Sequence, residues 1–429
     1  MRHGNINTKL KRQFSILLVT LLTFLPLYAD PKKEEEAKVP PVPYEELDLF
    51  AKVYHYIQNH YVEEVDGKKV IEGAIDGMLR SLDPHSSFLR RDVYNELKVD
   101  TEGQFGGIGI EITIKDEVLT VVTPLEGTPA YKAKIEAGDK IIKIDGTPTR
   151  EMSLADAVSK MRGKKGSKIT LTLVREGKKQ PFDVVLTREV IHIQSVRSEL
   201  LEKQYGYVRI NSFQEGTSRE LTKALQRLGK GTLLKGLILD LRNNPGGLLD
   251  EAIAVVDSFL KEGVIVSTKS RDQETDRKLA QDDGNEPNYP IVLLINGGSA
   301  SASEIVAGAL QDHHKAVLLG TTTFGKGSVQ TVYELDKGTA LKLTIARYYT
   351  ASGRSIQAEG IKPDIVATQE APSSSESSQS SIREKDLKGH LEEEERKFAK
   401  EKESEIDHQK QLALNYLKGL EAFVPPQQK

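Results

Sequence analysis

The sequence predicts a mixed α/β protein: an alternating core of strands and helices, preceded by a strand-rich module and flanked by helical segments at both ends. Three observations carry this reading. Between residues 190 and 368, apolar runs such as Y-G-Y-V-R-I and G-L-I-L-D-L-R alternate with helix-like stretches at Leu248 to Leu260 and Ala302 to Asp312, the order expected of an α/β core. Residues 103–188 have another texture, with glycine-rich turns between alternating runs, which reads as strands. Toward each end, apolar residues recur in a charged background as they do on helices.

In chain order, Lys9, Lys11 and Arg12 precede an almost wholly apolar run from Phe14 to Leu27, which Tyr28-Ala29-Asp30 closes. A basic start, a short apolar core and a small residue before the cut make a secretory signal of residues 1–29, cleaved after Ala29. The apolar core is shorter than the ~20 residues of a membrane span. Leu27 is large for its place, which leaves a retained anchor as the alternative. The chain is therefore expected in a bacterial periplasm, soluble, or attached to the inner membrane if the signal stays. Residues 30–43 are charged and proline-rich and read as a linker. In the helical region 44–102, Leu47, Phe50, Val53, Tyr54 and Ile57 follow a helical stripe, and a second helix runs from about Val70 to Leu82.

Residues 103–188 include F-G-G-I-G-I-E-I and V-L-T-V-V-T-P as strands, then a short helix from Ala130 to Ala137. A strand and turn, G-D-K-I-I-K-I-D-G, a helix from Ser153 to Arg162 and the strand I-T-L-T-L-V-R-E follow. Gly107-Ile108-Gly109-Ile110 and A-G-D-K-I-I-K-I-D-G resemble a PDZ domain. That resemblance implies that Gly107, Ile108, Gly109 and Ile110 aim backbone N–H groups at a peptide's C-terminal carboxylate, the peptide adding as a strand at the sheet edge. Val158 or Met161 would line the pocket for its side chains. The plainer alternative is a strand with a glycine bulge that binds nothing.

The core, residues 189–368, contains I-V-L-L-I-N feeding a serine-rich turn, and A-L-K-L-T-I-A-R-Y-Y-T as a late strand. Residues 369–383 form a Ser-rich linker. Residues 384–429 are a charged helical region whose apolar content thickens toward Leu412, Leu414, Tyr416 and Leu417, so its last turns can dock on the body or on a second subunit. At 429 residues the chain has room for two or three domains. Its net charge of −3 argues against a nucleic-acid binder, and the absence of cysteine excludes disulfides, thiol catalysis and a lipidated N-terminal cysteine.

Chemistry concentrates in two motifs. N-G-G-S-A-S-A-S-E places Ser299, Ser301 and Ser303 in a turn of small residues at a helix entrance, and T-F-G-K-G-S-V-Q holds Lys326 between two glycines. A serine hydroxyl needs a base to become a nucleophile. A lysine serves as that base once burial lowers its pKa from ~10.4 toward neutrality, and Phe324, Val329 and Val332 can exclude water around Lys326. Ser301 to Glu304 is also the spacing of a capping box, but free N–H groups at the helix entrance suit an oxyanion. Gln330, four residues past Lys326, would lie ~13 Å from it in a straight strand, so the segment must bend, as Gly325 and Gly327 permit, if Gln330 is to orient the amine. D-L-R-N-N-P-G-G offers an N–H of Gly246 or Gly247 to join that of Ala302 as an oxyanion hole. His313, ~18 Å along the helix from Ser301, His192 and the turn residue His85 fit structural roles better. No metal-binding spacing occurs, and no cofactor is called for.

Taken together, these motifs, with G-A-I-D-G-M-L-R-S-L-D-P-H-S and the PDZ-like module, closely resemble the carboxyl-terminal processing, or tail-specific, proteases. The resemblance implies a crotonase-like, spiralled α/β protease core with an inserted PDZ domain. It assigns Ser301 as nucleophile, Lys326 as general base, Gln330 as the residue orienting the lysine, and the backbone N–H groups of Gly247 and Ala302 as oxyanion donors. The partners implied are proteins or peptides with apolar C-termini, with room for an adaptor protein and a homodimer. Whether the PDZ module inhibits the core or delivers substrate stays open. A catalytically dead scaffold would be expected to lack Ser301 or Lys326, and an acyl-CoA enzyme sharing the core fold would not need the signal or the PDZ module.

Overall fold

The structure, a computed structural model, describes residues 43–272, 275–284, 286–368 and 407–423. The signal, the linker up to residue 42, the Ser-rich linker and the C-terminal region up to residue 406 lie outside the described residues. The chain divides into two units, Met1–Gly67 and Lys68–Lys429. In the first, helix Tyr44–His60 carries the stripe read from the sequence, with Tyr54 and Ile57 half-buried and Leu47, Phe50 and Val53 exposed.

Helix Gly67–Arg80 begins at the last residue of the first unit and runs on in the second, which continues with a turn at residues 83–86, the three-residue strand Ser87–Leu89, and helix Arg91–Glu102, which Gly103 ends in the left-handed conformation at φ 63°. The strand departs from the all-helical reading of 44–102. S-F-L is too short to show a period, and it is extended because it pairs antiparallel with residues 340–342.

The inserted module hangs on a stem. Strands Gln104–Gly107 and Glu189–His192 pair antiparallel where the chain enters and leaves it. Beyond the stem, strands Ile110–Lys115, Val118–Pro124, Lys140–Ile144, Lys168–Val174 and Phe182–Thr187 form an antiparallel sheet in that order, so Ile110–Lys115 is an edge. Alternation along Lys168–Val174 buries Ile169, Leu171 and Leu173 together, as a half-buried strand requires. They share a core with Ala157 and Met161 of helix Leu154–Met161, whose entrance a Ser153–Asp156 capping box closes. The helix expected over Ala130 to Ala137 is only Pro129–Lys132, because Lys134 turns to φ 59° and Gly138 to φ 88°.

In the core, strands Val196–Leu201, Tyr205–Ile210, Gly236–Asp240, Ile291–Ile295, Ala316–Gly320 and Ile365–Val366 make a six-stranded sheet in that order, parallel after the first pair. The central strands are apolar on both faces because both are covered. Leu237, Leu239, Leu293 and Ile295 share a core with helices Thr217–Gly229, Leu249–Asp257 and Ala302–Asp312. The intervening Ile238, Val292 and Leu294 receive Ala413, Leu414 and Leu417 of helix His408–Phe423. The C-terminal helix thus docks on the body of its own chain. A second sheet runs Ser87–Leu89, Ala340–Tyr349, Val264–Ser270, Thr275–Leu279, with Ser328–Glu334 paired along Ala340–Tyr349.

Candidate active site

Three loops leave the carboxyl ends of adjacent parallel strands: one after Gly236–Asp240, one after Ile291–Ile295 and one after Ala316–Gly320. That edge is where α/β sheets place ligands. The loops are stitched together. Asn243 N–H donates to Asn296 Oδ1 at 2.9 Å and Asn296 Nδ2 returns a bond to Asn243 Oδ1 at 2.8 Å. Ala300 N–H donates to the Asn244 carbonyl, and Phe324 N–H to the Ser299 carbonyl, each at 3.0 Å.

These stitches sort the three serines. Ser299 Oγ donates to the Leu241 carbonyl at 2.8 Å, and Ser303 Oγ to the Asn244 carbonyl at 2.9 Å; both residues are fully buried. Their hydroxyls hold loops together. Ser301 retains 8% exposure and sits at φ 54°, ψ −111°, a conformation costly for a residue with a Cβ and one that persists only where the surroundings impose it.

The imposing group is Glu304, which is fully buried one turn into the helix. Its Oε2 accepts the Ser301 N–H at 2.8 Å and the Lys326 N–H at 2.9 Å, while Oε1 accepts the Thr323 hydroxyl at 2.5 Å and the Gly325 N–H at 2.7 Å. One oxygen therefore clamps the Ser301 and Lys326 backbones no further apart than two hydrogen bonds laid end to end. Burial pushes the Glu304 carboxyl up to about 7, against the bonds from Thr323, Gly325, Ser301 and Lys326 that favour its anion. The sequence showed Glu304 as a capping partner of Ser301; its second role, joining the serine turn to the lysine loop, had no local signal.

The glycine pair resolves as well. Gly246 N–H is taken by Asn244 Oδ1 at 2.9 Å. Phe213 bonds to both neighbours of Gly247, donating to the Gly246 carbonyl at 2.9 Å and accepting the Leu248 N–H at 2.6 Å, so the N–H of Gly247 faces the opposite way. Both positions require glycine: a Cβ on Gly246 would lie 2.9 Å from Ser301 Cβ, and one on Gly247, at φ 141°, would lie 2.2 Å from the Phe213 carbonyl oxygen. Gly246 thus packs directly on Ser301. Ala302 opens the helix, where the first N–H groups have no partner within it.

Gly325, at φ 102°, supplies a turn just before Lys326, and the register shifts between Val329 and Gln330. Gln330 Nε2 donates to Ser328 Oγ at 2.8 Å and to Thr344 Oγ1 at 3.3 Å. His313 ends the serine helix and its Nε2 meets the Val264 carbonyl at 2.8 Å, while His85 donates its N–H to Asp83 in a turn. Neither is placed in the serine loop.

In the inserted module, Gly109 stands at φ 72°, where a Cβ would lie 2.3 Å from Thr128 Cβ. Its carbonyl and that of Ile108 are tied back by the N–H groups of Leu125 and Ala130, each at 2.9 Å. Ile108 is buried in the module's core, and Gly107 ends the stem strand. Ile110 begins the edge strand. Met161 belongs to the core whereas Val158 is half-exposed, so Val158 offers more surface to a groove.

A model of peptidase family S41 matches residues 204–367, one of the PDZ domain residues 96–174, and one of the activating protease CtpB N-terminal domain residues 27–93. The carboxy-terminal-processing protease of Bartonella bacilliformis is 46% identical over 352 residues, covering 81% of each chain. The carboxy-terminal processing protease CtpA of Bacillus subtilis is 38% identical over 322 residues, covering 75% of this chain and 69% of that protein. Among solved structures, a photosystem II D1 C-terminal processing protease is 31% identical, with 76% of this chain and 94% of that one covered at a TM-score of 0.44.

Proposed function

The chain belongs to the carboxy-terminal processing proteases, serine-type peptidases carrying a PDZ domain, and we propose that it works by a Ser-Lys mechanism on substrates held by their apolar C-termini. The observation that carries this reading is the Glu304 clamp, which brings the Ser301 turn and the Lys326 loop to one carboxylate oxygen. Lys326, neutral when active, takes the proton of Ser301 Oγ. The alkoxide attacks the peptide carbonyl, and the N–H groups of Gly247 and Ala302 receive the charge that develops on its oxygen. Lys326 then returns the proton to the leaving amine. Water, deprotonated in turn by Lys326, releases the acyl group from Ser301. Activity therefore rises with pH as the lysine loses its proton.

The substrate's tail would add beside the edge strand Ile110–Lys115, its carboxylate in the loop at Gly107, Ile108, Gly109 and Ile110 and its last apolar side chain against Val158. The basic and apolar segment before Asp30 supports export to a bacterial periplasm. The exposed stripe of helix Tyr44–His60 supports a protein contact there, within which a homodimer or an adaptor belongs to the same proposal. The test is mass spectrometry of a protein with a disordered, apolar C-terminus, and of a copy ending in aspartates, after incubation with wild type, Ser301→Ala and Lys326→Ala. Cleavage by wild type alone, lost with the acidic tail, is expected. Cleavage surviving either substitution would overturn the mechanism, and equal cleavage of both tails would overturn the recognition.

A further inference from the structure

Gln330 is held from a part of the chain remote in sequence. The turn after helix Gly67–Arg80 folds around Asp83: Oδ1 accepts the N–H groups of His85 and Ser86, each at 2.8 Å, and Oδ2 accepts the Ser86 hydroxyl at 2.7 Å. From that turn contacts cross to Thr344 of strand Ala340–Tyr349, the longest of them Ser86 Oγ to Thr344 Oγ1 at 3.5 Å, while the Ser86 hydrogen goes to Asp83. Thr344 N–H donates to Ser86 Oγ at 3.1 Å, and the Thr344 hydroxyl donates to Asp83 Oδ1 at 3.2 Å. Thr344 is the register partner of Gln330, whose Nε2 points at Thr344 Oγ1 and at Ser328 Oγ.

Counting hydrogens fixes the direction of this chain. A threonine hydroxyl has one hydrogen and an ionised carboxylate has none. Burial works to raise the Asp83 carboxyl, but the bonds from Ser86, His85 and Thr344 outweigh it and hold the group below its ordinary value, so it is an anion at neutral pH. Asp83 takes the Thr344 hydrogen, and Thr344 Oγ1 is left only to accept. Gln330 must then turn its NH2 toward Thr344, which commits its carbonyl oxygen to the other side as an acceptor. In the proposed mechanism the group that needs an acceptor there is the amine of Lys326, four residues earlier on a segment that turns at Gly325.

We infer that Asp83 and Thr344 are positioning residues of the Ser-Lys apparatus: Asp83 orients the Thr344 hydroxyl, Thr344 fixes the amide of Gln330, and the amide carbonyl receives Lys326. The D-P-H-S turn, 261 positions from Thr344, thereby completes the active site from the N-terminal side. This inference rests on the reading of Lys326 as the base.

The test is steady-state kinetics of the full chain on a tail-bearing peptide and on an activated aryl ester, which keeps slow variants measurable. Thr344→Val, Thr344→Ser and Asp83→Asn are made singly, and Thr344→Val and Asp83→Asn also on Gln330→Ala. Expected is a fall in kcat of about tenfold or more for Thr344→Val and Asp83→Asn with KM within about twofold, recovery with Thr344→Ser, and no further loss on Gln330→Ala. Losses that add to that of Gln330→Ala, or a Thr344→Val enzyme with wild-type kcat, would overturn the inference. If Gln330→Ala falls below detection, the Val and Ser variants decide it, compared at matched melting temperature: recovery by Ser supports the inference and equal loss in both overturns it. Ser301→Ala and Lys326→Ala run alongside. Turnover by either would mean that the dyad itself is misread, whereas dead dyad variants with additive network losses would sink only the role of Asp83 and Thr344.

Discussion

At the scale of single residues, the site depends on one buried carboxylate receiving four hydrogen bonds. In Glu304→Gln the amide would aim an NH2 group at two of the four donors that now converge on the carboxylate: at Ser301 and Lys326, which opens the clamp, or at Thr323 and Gly325, which displaces the loop that carries Lys326. A misplacement of about 1 Å costs roughly 100-fold in rate, so kcat is expected to fall by that order while tail binding in the PDZ domain persists. There is also a pH signature. The folded-state value of about 7 lies above the ~4.3 of an exposed glutamate. The stability tied to this group is thus full below about pH 4 and lost as pH rises through about 7. Melting temperature measured from pH 5 to 8 should carry that downward contribution in wild type and lack it in Glu304→Gln; identical slopes would show that Glu304 does not titrate there. The serine turn, the lysine loop and the glycine pair were legible as candidates in the sequence because runs of small and glycine residues are costly unless the backbone needs them. The clamp and the Thr344 link were not, since both join segments whose proximity only the folded sheet creates.

Among elements, the C-terminal helix shows where sequence patterning stops. Its apolar residues marked it as a docking element, but nothing local distinguished the chain's own sheet from a second subunit. In the fold, Leu417 is fully buried against the sheet, and a Cβ on Gly236 would meet its side chain at 2.9 Å. Leu417→Ala is expected to cost about 2–5 kcal/mol, read as a shift in the denaturation midpoint. An ion cluster anchors the start of the helix: Asp407 receives Arg242 Nη1 at 2.9 Å and Nη2 at 2.6 Å, and Arg242 also bonds Asp240 in the strand that leads to the Asn243–Gly247 turn. Burial works to raise the Asp407 carboxyl, but Arg242 outweighs it and holds the group below its ordinary value. Its stabilising effect is therefore full above the ordinary carboxylate range near ~4 and is lost as pH falls below it. Once corrected for the intrinsic pH dependence of amide exchange, protection of the 408–423 amides should fall on acidification before that of the central strands; a simultaneous fall in both would contradict the anchor.

The whole molecule reads as a core with a PDZ module on a two-stranded stem, and the sequence carried that arrangement in broad outline. Its errors, the strand Ser87–Leu89 and the overlong helix at Ala130, both concern pieces of a few residues, where periodicity has nothing to count. The module's contribution can be separated from the chemistry. Gly109→Ala places a Cβ against Thr128 at a positive φ, so KM for a tailed substrate should rise about tenfold or more, equivalent to ~1.4 kcal/mol of lost tail binding, while kcat on an aryl ester is unchanged. A fall in ester turnover instead would mean that this loop acts on the core. The central claim, that Ser301 is a nucleophile activated by Lys326, is tested most directly by acid-quenching the enzyme during turnover of an activated ester and mapping the acyl adduct by mass spectrometry. The adduct is expected on Ser301 in wild type and absent from Lys326→Ala at the same times. An adduct on Ser299, Ser303 or any other residue, or undiminished acylation of Ser301 without the lysine, would contradict it.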